Sequence, residues 1–298
     1  MRRGRLAACS TAEKRKWDVL GVFNGERYQC DFAEPPFTRI QVAGGLALWN
    51  FLFVSSGIGL RQLVSRLQPL HTNLDDASQQ AWLIALLSFV QLSATAASAR
   101  SLTHRHGLNS KKTDGSSVPW LDLSPHCVRD ALSLKDGWLT WALLGLVGSP
   151  FAVLGASAIA SQLGLAQDGS GTTVQPLMPL LGNGSAAGPS VLVPLGSSIA
   201  LSSPLMEELV FRGVLLPSVT RWSNTPAAVV VASLAFTANH TSVQSAPQLL
   251  ALSLILGFSY VRTRNLLTPL IIHSAWNTVV FTVVVSFPEL VFQAQQQQ

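Results

Sequence analysis

Ser202-Ser203-Pro204-Leu205-Met206-Glu207-Glu208-Leu209-Val210-Phe211-Arg212-Gly213 places three charged side chains within a long apolar part of the chain. Its glutamate pair supplies the only carboxylates between Asp168 and Glu289. Ionised side chains inside a membrane are costly, and they mark functional sites when they occur there. The stretch therefore predicts a functional polar site within an apolar helix bundle.

The composition of the whole chain favours a membrane protein. Of 298 residues, 48% are hydrophobic and only 12% are charged, against about 25% charged residues in typical soluble domains. The mean hydropathy is +0.35. These values favour a polytopic membrane protein over two soluble domains. The three cysteines lie far apart and have neither disulfide nor metal-ligand spacing: Cys9, Cys30 and Cys127.

Seven apolar segments predict an all-α fold, a polytopic transmembrane helix bundle with a polar catalytic cavity among its last four spans. A helix needs about 20 residues to cross the hydrocarbon layer. We predict spans at 40–60, 81–97, 138–163, 191–216, 227–239, 249–261 and 266–287.

Polar stretches between these spans divide the chain into regions. The first region is basic, the central loop is rich in Gly, Ser and Pro, and the last region is a tail rich in Gln. The predicted regions are an N-terminal segment 1–39, N-terminal helices 40–163 with a polar loop 98–137, a loop 164–189, a second membrane domain 190–287 and a disordered tail 288–298.

Basic residues concentrate on one predicted side of the membrane. Seventeen of the 20 Lys and Arg residues fall on the side of the N-terminus, whereas Arg61 and Arg66 fall on the other side and Arg212 lies within the membrane. This skew is what the positive-inside rule predicts for an N-terminus on the inner face. The net charge of +5 therefore reflects membrane flanks, and we expect a lipid bilayer as partner and no nucleic acid.

Helical spacing gives the two glutamates different roles. Glu208 and Arg212 are four residues apart, so they share a helix face and can pair. Glu207 points about 100° away from that face and stays available for chemistry. Pro204 suits the first turn of a helix or a kink in a longer one, and Ser203 could cap a helix that starts there. The alternative is that both acids only complement the positive end of a helix near the membrane surface.

Two histidines extend the candidate site to later spans. His240 ends the fifth span, where an isolated histidine would most often be interfacial. His273 lies within the seventh span with Asn277 one turn later, so both can join one polar site. The alternative is that they only bridge helices, as Asn and His do in membranes. His240 lies at a shallower predicted depth than the glutamates, and a short or tilted fifth helix would reconcile the two depths.

Three motifs in this order resemble a known family. They are Glu207-Glu208-x-x-x-Arg212, Phe236-x-x-x-His240 and His273-x-x-x-Asn277. Together they are similar to the motifs of the CAAX-protease and bacteriocin-processing (Abi, CPBP) family of intramembrane endopeptidases, over roughly residues 190–285. The prenyl endopeptidases of the endoplasmic reticulum usually carry further histidines after the second motif. Residues 241–243 read Thr-Ser-Val instead, which resembles the prokaryotic and plastid branch.

The resemblance implies a membrane-embedded endopeptidase that acts on membrane or lipidated proteins, with CAAX-type C-terminal processing as one form. It implies that Glu207 and His240 activate a water molecule, that Glu208 with Arg212 supports the site, and that His273 and Asn277 donate hydrogen bonds to the oxyanion. No cofactor is certain. A second version places a divalent metal such as zinc on one carboxylate and two imidazoles, a set that leaves an open position for water: Glu207, His240 and His273.

Two other classes of function compete with proteolysis. A catalytically silent membrane scaffold, or a protein that stabilises a partner, could keep the same fold. A proton-coupled transporter could use Glu and His as a relay, although the two halves show no inverted repeat of broken helices. The basic residues 1–18 are compatible with a transit peptide, and the motifs resemble the prokaryotic and plastid branch. The expected location is therefore a plastid membrane (thylakoid or envelope), with a bacterial inner membrane or the endoplasmic reticulum as alternatives.

Overall fold

A computed structural model describes most of the apolar parts of the chain. The basic segment, the larger part of both long loops, the C-terminal tail and all three cysteines fall outside the described residues. The described residues are 38–67, 75–105, 110–111, 117–118, 132, 137–164, 178–181, 187–220, 222–240, 245–263 and 265–287.

Helices account for nearly all of the described chain, which agrees with the predicted helical class. Seven long helical stretches occur at the positions of the seven predicted apolar segments, and the first two extend well beyond their predicted ends. The helices are α1 Arg39–Leu67, α2 Asp76–Arg105, α3 Trp138–Gln162, the short α4 Met178–Leu181, α5 at 189–219, α6 Thr225–Asn239, α7 Ala246–Thr263 and α8 Leu267–Ser286.

A small hairpin departs from the all-α prediction. Strands β1 (Ser110–Lys111) and β2 (Ser117–Val118) pair antiparallel, with Ser110 opposite Val118. Each strand has two residues, and both lie in the predicted polar loop between α2 and α3. The bundle itself is unaffected by this pair.

Side-chain caps define the start of several helices. Thr38 and Gln41 form a capping box at α1, where the Gln41 amide donates to Thr38 Oγ1 at 3.3 Å and the Thr38 amide donates to Gln41 Oε1 at 2.9 Å. Asn224 caps α6 by accepting from the Ala227 amide at 2.9 Å. Such caps satisfy backbone amides that have no partner within the helix.

The α5 helix is continuous through residues 202–213, but two pieces of it are π-helical. It runs as Pro189–Ser197, Ser198–Ser202, Ser203–Glu208, Leu209–Leu215 and Leu216–Val219, and the second and fourth pieces are π-helical. Each π-helical piece ends two residues before a proline, Pro204 or Pro217. Proline has no amide hydrogen and clashes with the carbonyl four residues earlier, and a π-helical turn before the proline accommodates this break in α5.

The predicted role of Ser203 as a helix cap is wrong. Because α5 already begins at Pro189, Ser203 lies inside the helix with helical neighbours on both sides. Its hydroxyl instead donates to Glu207 Oε1 at 2.6 Å. The residue expected to start a helix therefore contacts the candidate site.

The outer surface of the bundle is apolar, as a membrane requires. Phe51, Phe89 and Phe151 are each more than half exposed, and side chains of this kind face lipid in a membrane protein. Three described helices are long and apolar enough to cross a membrane: Ala77–Ala99, Trp138–Gln162 and Leu267–Ser286. The protein is thus an integral membrane protein by these criteria.

The main buried cluster surrounds residues 202–213 of α5. Phe211 and Phe236 are fully buried and meet edge to face with centroids 5.3 Å apart. Helices α6 and α7 approach each other closely at Gly257, where a Cβ would lie 2.8 Å from Cγ1 of Val229. Helices α5, α6 and α7 supply most of this cluster: Leu209, Phe211, Leu215, Leu216, Val229, Phe236, Tyr260 and Val261.

Candidate functional site

Glu208 and Arg212 form the buried pair that their spacing predicts. Arg212 Nη1 donates to Glu208 Oε1 at 2.8 Å, and the two side chains are 1% and 0% exposed. The second guanidinium nitrogen donates to the Ser253 carbonyl at 3.0 Å and to Ser253 Oγ at 2.6 Å. A buried ion pair needs such additional hydrogen bonds to offset the cost of removing both charges from water. Ser253 on α7 therefore completes the support of Arg212.

His273 joins α8 to this network. Its Nδ1 lies 2.8 Å from Glu208 Oε1, and the histidine is 3% exposed. Because Glu208 is paired with a guanidinium, its carboxylate accepts and His273 Nδ1 carries the hydrogen. Glu208 thus fixes the orientation of an imidazole as well as neutralising Arg212.

Glu207 occupies a different environment. One of its oxygens, Oε1, accepts from Ser203 Oγ. The other oxygen, Oε2, is buried without a hydrogen-bond partner and lies 3.8 Å from Nε2 of His240 and 3.8 Å from Nε2 of His273. These separations are too long for direct hydrogen bonds. The structure therefore brings Glu207 and both histidines to one point without direct hydrogen bonds between them.

The short length of α6 brings His240 to the level of the glutamates. The helix has 15 residues and His240 directly follows it. Its Nδ1 lies 2.8 Å from the Phe236 carbonyl. A carbonyl can only accept, so Nδ1 donates and the neutral ring has its lone pair on Nε2. The imidazole is therefore oriented with its basic nitrogen towards Glu207.

Phe236 is the aromatic wall of the site. Its ring centroid lies 4.5 Å from that of His240 and 5.7 Å from that of His273. On its face, Arg212 Cζ lies 4.9 Å from the centroid. One aromatic side chain thus contacts both histidines and the guanidinium, and it limits the freedom of all three.

Asn277 lies on the same helix as His273 but has a backbone partner. Its Nδ2 donates to the Ile199 carbonyl at 3.0 Å, in the first π-helical piece of α5. One of the two amide hydrogens is used in this way, and the second is left for another acceptor. The contact ties α8 to α5 beside the site.

The candidate metal set does not have the spacing of a closed metal site. Ligands of a tetrahedral zinc ion with bonds of about 2.1 Å lie about 3.4 Å apart, whereas Glu207 Oε2 is 3.8 Å from the nearest nitrogen of each histidine. Across the described part of the chain, no group of three or more His, Cys, Asp or Glu side chains is arranged to hold a metal ion. In this arrangement the three side chains are therefore not drawn together as a closed zinc site, and Glu207, His240 and His273 are the residues that would hold a divalent ion.

Several contacts of the site could not be found from sequence motifs. Ser253 has no recognisable spacing to Arg212, and the position of Ser203 before a proline suggests a cap instead. Phe236 belongs to a quoted motif, but its central position follows from packing alone. The signal that could have found Ser253 is a polar side chain in an apolar helix.

One comparison with known proteins gives a match, over residues 189–279. This segment matches the family model described as type II CAAX prenyl endopeptidase Rce1-like. The match begins with α5 and ends in α8, so it covers nearly every side chain of the site described above. No curated protein and no solved structure matches the chain. Residues 189–279 are thus similar to the type II CAAX prenyl endopeptidase Rce1-like family, which confirms the resemblance to the CAAX-protease family.

Proposed function

We propose that this protein is an intramembrane endopeptidase that hydrolyses peptide bonds of membrane-associated proteins with a water molecule activated by Glu207 and His240. One observation carries the proposal: Glu207 Oε2 is a buried oxygen without a partner, 3.8 Å from two imidazole nitrogens. The match of residues 189–279 to an endopeptidase family supports the same reaction class.

Two acceptors at this distance suit a bridging water. Glu207 as a carboxylate only accepts, and neutral His240 accepts at Nε2 because its Nδ1 donates to Phe236. A water molecule that contacts both atoms from one side donates one hydrogen to each and leaves an oxygen lone pair free. Glu207 takes a proton as the water oxygen attacks the carbonyl carbon, and the proton then passes to the leaving amine nitrogen as the C–N bond breaks.

His273 and Asn277 would stabilise the oxyanion of the tetrahedral intermediate. His273 already donates from Nδ1 to Glu208, so donation from Nε2 requires the doubly protonated ring. Asn277 would donate its second amide hydrogen, since the first is bound to Ile199. Donors fixed in advance near a developing negative charge are a large source of rate acceleration.

The Glu208–Arg212 pair would act through position rather than through contact with substrate. Both side chains are fully buried, and their partners lie on α7 and α8. They hold His273 and the central turn of α5 in register, so that Glu207 faces the histidines. We expect their loss to affect folding as well as turnover.

Lipidated or membrane-inserted proteins are the proposed substrates. The matched family is described as prenyl endopeptidases, although residues 241–243 lack the extra histidines expected for the endoplasmic-reticulum branch. The seven long helices support the proposal of seven spans, and the distribution of Lys and Arg supports an N-terminus on the inner face. The plastid location rests on the form of the motifs and on residues 1–18, which lie outside the described residues. It stays a prediction that an organelle import assay would test.

A metal-dependent mechanism would use the same side chains, and a chelator assay distinguishes it from the metal-independent mechanism. Purified protein is treated with a strong chelator, and cleavage of a fluorogenic farnesylated CAAX peptide is compared before and after. If Glu207 and His240 activate the water without a metal, we expect the same rate of peptide cleavage with and without chelator. Loss of cleavage, restored by added zinc, would favour the metal version.

The competing function is a silent scaffold with the same fold. Profiling of membrane-protein termini in cells that express wild type or Glu207→Gln distinguishes the two. We expect termini that are present with wild type and absent with the variant at equal protein abundance. Identical termini at equal abundance would favour the scaffold.

A further inference from the structure

Helix α1 lies outside the family-matched segment but contacts the candidate site. Asn50 on α1 donates from Nδ2 to Oδ1 of Asn239. Asn239 is the last residue of α6, and His240 follows it directly. A polar contact from the N-terminal half of the chain therefore reaches the residue next to a candidate catalytic histidine.

The end of α6 needs support from outside the helix. The last carbonyls of a helix lack intrahelical partners, and final turns open readily. Two hydrogen bonds hold His240 from within α6. Its backbone amide donates to the Thr237 carbonyl at 3.2 Å, and its ring Nδ1 donates to the Phe236 carbonyl. Both partners belong to the same last turn, so they move with it. Asn50 adds a side-chain hydrogen bond from another helix to this turn.

A second route from α1 reaches the same histidine through aromatic rings. Trp49 is fixed by its indole hydrogen bond to Thr95 Oγ1 on α2 at 3.2 Å. Its ring meets Phe211 edge to face at 6.0 Å. Phe211 packs on Phe236, which packs on His240. Asn50 thus contacts the side chain of the residue before His240, and Trp49 packs on Phe211 at the start of the aromatic series that reaches the His240 ring.

We propose that Asn50 is a positioning residue for His240. Helix α1 then contributes to the geometry of the active site in addition to spanning the membrane. By holding Asn239, Asn50 keeps His240 Nε2 at 3.8 Å from Glu207 Oε2. The catalytic part of this inference rests on the proposed function. The structural part concerns only the last turn of α6.

Chemical modification of His240 tests the structural part without requiring turnover. Full-length protein in detergent is treated with diethyl pyrocarbonate, and carbethoxylation of each histidine is followed by peptide mass spectrometry. We expect Asn50→Ala and Asn239→Ala each to raise the His240 rate by about threefold or more, because the last turn of α6 opens more often. The rate at His273 stays unchanged. Equal His240 rates in wild type and both variants would overturn the inference.

A matched control separates this effect from general loosening of α1. Ser56 lies on the same helix and accepts from Gln91 Nε2 of α2 at 2.7 Å. Ser56→Ala removes a comparable interhelical contact, and we expect it to leave the His240 rate at the wild-type value. A rise as large as that of Asn50→Ala would assign the effect to α1 packing and contradict the proposal.

Kinetics with the farnesylated CAAX peptide test the catalytic part. We expect Asn50→Ala to lower kcat by about 10- to 100-fold, as a small displacement of a catalytic group does, with KM changed by less than about twofold. In a His240→Ala background, Asn50→Ala has no further effect. An unchanged kcat despite faster His240 modification would contradict the positioning role. Faster modification in a protein that cleaves nothing would instead contradict the proposed function and leave the contact with α6 standing.

Discussion

His273 Nδ1 lies 2.8 Å from Glu208 Oε1, the same oxygen that accepts from Arg212. One carboxylate oxygen therefore connects a guanidinium on its own helix with an imidazole on α8. The adjacent Glu207 makes no such pair and directs an unpartnered oxygen to the other side of His273. The two neighbouring glutamates thus divide support and chemistry between them.

Removal of Arg212 is expected to destabilise the protein severely. Arg212→Met leaves the fully buried Glu208 without its positive partner, and breaking a buried ion pair in this way costs about 3–5 kcal/mol. Thermal or denaturant unfolding in detergent would measure the change. The control is Arg39→Met, which removes an exposed guanidinium that lies 5.8 Å from the Trp222 ring centroid and costs about 1 kcal/mol or less. Equal losses for the two variants would contradict the assigned role of Arg212.

The Ser253 hydroxyl is expected to contribute measurably to the support of Arg212. Ser253→Ala removes the 2.6 Å hydrogen bond to the guanidinium, and a hydrogen bond to a charged group contributes about 1.5 kcal/mol or more. Ser259→Ala is the matched control, because this buried hydroxyl on the same helix donates to the Leu256 carbonyl of its own turn. If Ser259→Ala lowers the free energy of unfolding as much as Ser253→Ala does, the contact with Arg212 adds nothing specific.

The close approach of α3 and α8 is expected to control the position of His273. A Cβ at Gly145 would lie 2.9 Å from Cγ1 of Ile272, the residue before His273. Gly145→Ala therefore forces α8 outward at a cost of about 1–3 kcal/mol and lowers kcat. Gly148→Ala, one turn later on α3, meets nothing within 4 Å and should leave both unfolding and kcat near wild type. Tolerance of Gly145→Ala with full activity would show that this helix spacing is not critical.

Local spacing predicted the contacts that lie within one helix. The separation of four residues indicated the Glu208–Arg212 pair, because residues one helical turn apart share a face whatever the fold. The same reasoning distinguished Glu207 from Glu208. Three motifs on separate spans also indicated that His240 and His273 would meet the glutamates, and the structure brings both imidazoles to within 3.8 Å of Glu207.

Contacts between helices could not be predicted in this way. Ser253 reaches Arg212, and Asn50 reaches Asn239, across sequence separations of 41 and 189 residues. Their pairing depends on how the helices pack, and a single sequence carries no such information. The role of Ser203 was missed for a different reason. Pro204 is tolerated within α5 because the π turn before it absorbs the lost backbone hydrogen bond, so the proline does not mark a helix start.

The central claim is that Glu207 is the base that activates water, and kcat of Glu207→Gln tests it most directly. Glutamine keeps the size of the side chain and the acceptor for Ser203 but cannot take a proton. With purified protein and the farnesylated CAAX peptide, we expect kcat to fall by about 10²–10⁴-fold, while the unfolding temperature stays near that of wild type. A Glu207→Gln protein that cleaves the peptide at the wild-type rate would contradict the role of Glu207 as the base.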